Sequence, residues 1–161
     1  MQHVPILIVQ HMPVGFTSSL AERLNRQCGV CIKEAEEEHI VAGVAYLAPA
    51  GRHLKLKRCG RELHIRFDCS PESALHRPSV DALFESAAAV CGENVLAFVL
   101  TGMGRDGASG AQAIKKAGGR VIVESEETSI VFGVPKAVRE MISVDADVPL
   151  YDIPEALLKM I

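Results

Sequence analysis

Six consecutive apolar residues, Val95–Leu100, run directly into the loop Thr101-Gly102-Met103-Gly104-Arg105-Asp106-Gly107. A strand with no polar face must be covered on both sides. Gly107–Ala117 then reads as a helix stopped by Gly118-Gly119, and Arg120–Val123 as the next strand. Strand, loop, helix and strand in that order make a crossover connection, which implies a parallel sheet flanked by helices. In such sheets chemistry collects at the carboxyl ends of the strands, where this glycine loop sits.

The rest of the chain fits the same plan. Val4–Val9 predicts a buried strand, broken by Pro13 and Gly15. Ser19 and Glu22 have capping-box spacing and open a helix with Leu20 and Leu24 inward. Val30–Glu34 and Val44–Leu47 read as further strands, the latter stopped by Pro49. His53–Lys57 and Leu63–Phe67 alternate strictly around Cys59-Gly60, a hairpin with a basic outer face. Ser79 caps a helix running to Cys91, and Val134–Ile142 and Pro154–Met160 are the last helices. The expected fold is a single α/β domain over residues 1–161, a doubly wound, mostly parallel sheet with helices on both faces plus a small antiparallel hairpin.

Composition removes other classes. With 48% hydrophobic residues and a net charge of -3, the 161 residues are neither a disordered tail nor drawn overall to nucleic acid or anionic lipid. No apolar run approaches the roughly 18 residues of a membrane span, so membrane insertion is not expected. Aromatics make up 4% and Trp is absent, so the core is aliphatic and no base-stacking surface is expected. Five cysteines without a signal peptide point to reduced thiols and a cytoplasmic protein. Cys28 and Cys31 form a C-x-x-C at the end of the first helix, the wrong pole of the helix dipole for a reactive thiolate, so a structural role is expected. Glu34, Glu36, Glu37 and Glu38 read as a solvated turn rather than a metal site. His3, His39, His53 and His64 carry no spacing signal. The basic hairpin face is solvated or, alternatively, docks an acidic partner through Lys55 and Lys57.

The glycine loop admits two readings. Gly102, Gly104 and Gly107 satisfy G-x-G-x-x-G between a strand and a helix, and Glu124 ends the next strand about 20 residues on, as a dinucleotide site requires. Against this, Asp106 would lie where the pyrophosphate binds, and a carboxylate about 4 Å from a phosphate costs roughly 1–4 kcal/mol. In the second reading Asp106 is the purpose of the loop. His11 follows another strand at the same expected edge, and an Asp–His pair is two-thirds of a nucleophilic triad, with loop amides available to an oxyanion. The bland alternatives are a structural His11 and an Asp106 that complements the helix dipole.

Five blocks narrow the choice: Gln10-His11-Met12-Pro13 with Gly15-Phe16-Thr17, Tyr46–Pro49, His76–Asp81, Leu100–Gly107 and Phe132–Pro135. In this order they resemble the catalytic domain of the bacterial chemotaxis receptor methylesterase (protein-glutamate methylesterase) family. The resemblance implies hydrolysis of receptor glutamyl methyl esters to glutamate and methanol, with glutamine deamidation on the same receptors, and no cofactor or metal. It implies His11 as general base, Asp106 as its orienting carboxylate and the Met103 backbone N–H as oxyanion donor. Arg77 either holds a substrate carbonyl or carboxylate or bonds local carbonyls. The implied partners are the cytoplasmic domain of a methylated chemoreceptor and, in the full-length parent, a receiver domain.

The family's nucleophilic serine lies in a Gly- and Ser-rich turn ahead of the His strand, and this sequence starts at that strand. Ser109, in Gly107–Ala111, sits near a nucleophile-elbow pattern but inside the helix, while Ser18, Ser19, Ser79 and Cys28 read as helix-end residues. The expectation is an N-terminally truncated domain that supplies His and Asp only, turns over little alone, and leaves a sheet edge open to pairing. A non-catalytic receptor-docking fragment is the remaining alternative.

Overall fold

The computed structural model describes residues 4–70 and 75–160; His3 lies outside them. Two compact units divide the chain, Met1–Ser86 and Ala87–Ile161. In the first, β1 (Ile6–Ile8), β2 (Cys31–Glu34) and β3 (Val44–Leu47) form a parallel sheet in the order β1-β3-β2. The middle place falls to β3, whose Ala45, Tyr46 and Leu47 are buried, as a strand without a polar face requires. β1 is shorter than the apolar run predicts and only half-buried, because it pairs with one neighbour in this sheet.

The helix after β1, α1 (Thr17–Gln27), begins two residues before the predicted capping box and has no side-chain cap. Thr17 is buried; its hydroxyl donates to Glu34 and accepts from the Ala50 amide at 3.3 Å. Those tertiary bonds set the start of α1, so Ser18 and Ser19 lie exposed in its first turn rather than capping it.

The hairpin forms as predicted. β4 (His53–Cys59) and β5 (Glu62–Asp68) pair antiparallel from His53↔Asp68 to Cys59↔Glu62. Its buried face, Leu54 and Ile65, packs with Tyr46, Ala48 and Leu83 into one core cluster. The segment after β2 adds to β5 on its other side: Ile40 N–H donates to the Leu63 carbonyl at 2.8 Å and Ile65 N–H to the Glu38 carbonyl at 2.7 Å. Lys55 meets Asp68 at 2.7 Å, and that bond together with the Ser70 amide holds the Asp68 carboxyl at about 2. A carboxyl lowered in the folded state contributes stability above its unfolded value of 3.8, lost as the pH falls toward about 2. Amide-exchange protection of the hairpin is therefore expected to hold above about pH 4 and decline below it, and Asp68→Asn should flatten that decline.

α2 (Val80–Cys91) starts where predicted, with Ser79 Oγ accepting from the Ala82 amide at 3.3 Å. In the second unit β6 (Leu96–Val99), β7 (Arg120–Glu124) and β8 (Ala146–Val148) form another parallel sheet in the order β6-β7-β8, with α3 (Ala108–Lys116) and α4 (Val134–Met141) as the crossovers. β7 is central, and Val121, Ile122 and Val123 are fully buried. Asp145 clamps this layer by accepting from Lys115 at 2.8 Å and from the Val121 amide at 2.7 Å. Burial pushes its carboxyl up, but Lys115 and the Val121 amide outweigh that and hold it low. A short α5 (Ile153–Leu158) follows β8. The architecture is α/β, with parallel sheets flanked by helices and a small antiparallel hairpin.

Candidate active site

In the first unit the segment after β1 and the segment before α2 meet through two histidine rings. His11 follows Ile8, the last residue of β1, and is half-buried. Its ring stacks on that of His76, with centroids 4.3 Å apart and planes 18° from parallel. His76 and Arg77 precede a cis Arg77–Pro78 bond. The segment carrying them is tied down twice. Gly51 N–H, in the turn after β3, donates to the Arg77 carbonyl at 3.0 Å. Ser79 N–H donates to Nδ1 of His53 at 3.1 Å, and His53 is fully buried.

The sequence gives His53 no spacing signal, and strand alternation puts it on the same face as Lys55 and Lys57. The face is wet only at its far end. Lys57 is exposed, whereas Lys55 is engaged by Asp68. The acidic run is likewise more structural than a solvated turn: Glu34 binds Thr17, Glu37 accepts from the Phe67 amide at 3.0 Å and Glu38 pairs with Lys33 at 2.6 Å. Among the described residues no group of three or more His, Cys, Asp or Glu is placed to hold a metal.

In the second unit the loop Thr101–Gly107 leaves the carboxyl end of β6. Thr101 N–H donates to Glu124 at 2.7 Å, and the Thr128 hydroxyl donates to the other Glu124 oxygen at 3.0 Å. Glu124 is only 1% exposed. This corrects the dinucleotide reading, since the carboxylate meant to meet a ribose instead braces the ends of β6 and β7 from inside. The loop is also sewn to the segment before α4. Gly102 N–H donates to the Val131 carbonyl at 2.9 Å, and the Gly102 carbonyl accepts from Gly133 at 3.0 Å and Val134 at 2.9 Å.

Two glycines are required by this packing. Gly107, the residue before α3, has φ 115°, which side-chain-bearing residues rarely adopt. A Cβ at Gly133 would lie 2.7 Å from the Gly102 carbonyl oxygen, a backbone atom that cannot swing away. Gly133→Ala is expected to destabilise the chain by about 1–3 kcal/mol and to displace the glycine loop, read as a lower urea midpoint with altered Met103 and Gly104 amide resonances.

Met103 stands at the tip of this loop, 82% exposed, and among the described residues its amide donates no hydrogen bond. Asp106 is half-buried and directly precedes Gly107, where the N-terminus of α3 favours a negative charge. Met103 and Asp106 therefore share one braced loop after the parallel strand β6, while in the other unit His11 follows the parallel strand β1 and Arg77 lies just ahead of α2. Of the candidate nucleophiles, Ser109 is exposed in the first turn of α3, Ser79 is a buried cap and Cys28 is the exposed C-cap of α1. None occupies a strand-to-helix turn of the kind that presents a nucleophile.

A sequence profile described as CheB methylesterase matches residues 1–157. The chain belongs to the CheB methylesterase family. Its similarity to a protein-glutamate methylesterase/protein-glutamine glutaminase of Pectobacterium atrosepticum is 44% identity over 157 residues, covering 97% of this chain and 45% of that protein. A Geobacillus kaustophilus protein of the same description is 46% identical over 159 residues, covering 98% of this chain and 46% of its own length. The chain thus spans about half the length of the curated relatives it matches. The crystal structure of the Thermotoga maritima CheB methylesterase catalytic domain superposes with a TM-score of 0.95 at 42% identity, covering 99% of this chain and 86% of that one. The CheB family and fold expected from the five motif blocks are therefore the ones found.

Proposed function

We propose that this chain is the catalytic part of a protein-glutamate methylesterase, a carboxylic ester hydrolase acting on the methylated cytoplasmic domain of a chemoreceptor. The observation that carries the reading is the pairing of family with placement: His11 and the Asp106 loop each follow the carboxyl end of a parallel strand in a chain matched by the CheB methylesterase profile over nearly its whole length.

The nucleophile in this reading is the serine that the family carries in a turn ahead of the His strand. His11 takes its proton as the oxygen attacks the glutamyl ester carbonyl. The Met103 amide donates to the oxyanion of the tetrahedral intermediate, where a preorganised donor is worth about 10²–10³ in rate. Collapse breaks the bond to the methoxy oxygen, which takes the proton from His11 and leaves as methanol. Water, deprotonated by the same imidazole, then releases glutamate. Asp106 keeps the His11 ring in the tautomer that accepts at the serine. Replacing the ester by a glutamine side chain makes ammonia the leaving group and gives deamidation by the same steps. Arg77 holds a carbonyl or carboxylate of the receptor segment. A receiver domain is the regulatory partner in this reading, and the chain acts in the cytoplasm.

The test uses a polypeptide carrying these residues together with a serine-bearing segment ahead of them. Incubated with receptor methylated on its glutamates, it is expected to release methanol stoichiometrically with loss of the esters. Failure to release methanol from a folded preparation would overturn the assignment.

A further inference from the structure

We propose that His76 is a positioning residue for the His11 imidazole, a flat platform that fixes the plane of the ring. The inference rests on the reading of His11 as general base. An imidazole donates and accepts only in its own plane. A base that must meet a serine on one nitrogen and a carboxylate on the other works only if that plane is held. The torsion that turns the ring is intrinsically broad, so the hold must come from a neighbour. His76 supplies a ring face at 4.3 Å and 18°.

The platform itself is braced. Arg77, the next residue, is pinned through its carbonyl to the Gly51 amide at 3.0 Å. Ser79 is pinned through its N–H to the buried His53 at 3.1 Å and also caps α2. A segment fixed at the turn after β3 and at the start of a helix presents His76 in one place. That chain of contacts gives the buried His53 a purpose as well, since it holds the segment that holds the platform. The role asks for a flat ring and not for a titrating one, so phenylalanine should serve where alanine does not.

The test compares His76→Ala with His76→Phe in the serine-bearing polypeptide, beside His11→Ala. His76→Ala is expected to lower kcat about 10–100-fold with KM changed less than about twofold, the scale of a catalytic group misplaced by about 1 Å. His76→Phe is expected to stay within about threefold of the parent in kcat. If His76→Ala does not fold, His76→Gln, which also lacks a ring, takes its place with the same expectation. Proton NMR of the 161-residue chain supplies a readout independent of turnover. Ring-current shifts on the His11 ring protons should vanish in His76→Ala and persist in His76→Phe. Parent-like kcat in His76→Ala, equal losses in both variants, or a rise in KM alone would overturn the proposal. If instead His11→Ala keeps parent turnover, the reading of His11 as base fails, and the NMR shifts still decide whether the platform exists.

Discussion

Replacing His11 by alanine is expected to lower kcat for methyl-ester hydrolysis by about 10⁵–10⁶-fold, measured as methanol released at saturating receptor by the serine-bearing polypeptide. In hydrolases of this type the serine is inert unless a base takes its proton as it attacks, and losing the base costs about as much as losing the nucleophile. What remains is binding and the oxyanion donor. His11 is half-buried after a three-residue strand and lies outside the Tyr46–Leu54–Ile65 core cluster, so the variant should keep its fold and its thermal midpoint should move little. A loss below about tenfold in a folded variant would remove His11 from the mechanism.

Asp106→Asn is expected to lower kcat by about 10⁴-fold with little change in KM. The amide is nearly the shape of the carboxylate, so the geometry of the braced loop survives. In the proposed mechanism, what changes is the partner offered to the imidazole. A neutral amide no longer stabilises the imidazolium that forms as the serine is deprotonated, and it tolerates the wrong tautomer. The loop bonds from Thr101 to Glu124 and from Gly102 to Val131, Gly133 and Val134 do not involve Asp106. Asp106→Asn should therefore leave the unfolding free energy measured in urea within about 0.5 kcal/mol of the parent, separating a chemical role from a structural one. If the variant unfolds early but turns over normally once folded, Asp106 is a helix-start residue and nothing more.

Much of this arrangement is legible in the residues, and the parts that are not have identifiable causes. Val44–Leu47 and Val95–Leu100 announce themselves because strands without a polar face must be central or covered, and β3 is central. The loop Thr101–Gly107 is readable because its glycines need conformations and close approaches that other residues refuse. β8 is hidden: Ala146-Asp147-Val148 is three residues with a charge in the middle, and its pairing is supplied by β7 rather than by its own propensity. The start of α1 is misread for a similar reason. Ser19 and Glu22 form a plausible local signal, but Thr17 is bound to Glu34 and Ala50, far away in sequence, and tertiary bonds win.

The site divides the same way. His11 and Asp106 can be picked out by position at strand ends. His76 stands in one of the five blocks, but its stack on His11 and the bond from Ser79 to the buried His53 are hidden, because they join residues with no spacing in common. Glu124 looked like a ribose ligand only while its exposure was unknown; with Thr101 and Thr128 on its two oxygens it is a brace.

A double-mutant cycle on kcat tests the joint role of His11 and Asp106 most directly. If the carboxylate acts only through the imidazole, the His11→Ala/Asp106→Asn double variant turns over no more slowly than His11→Ala alone, because nothing is left for Asp106 to orient. If the two losses multiply instead, the residues act independently and the couple does not exist.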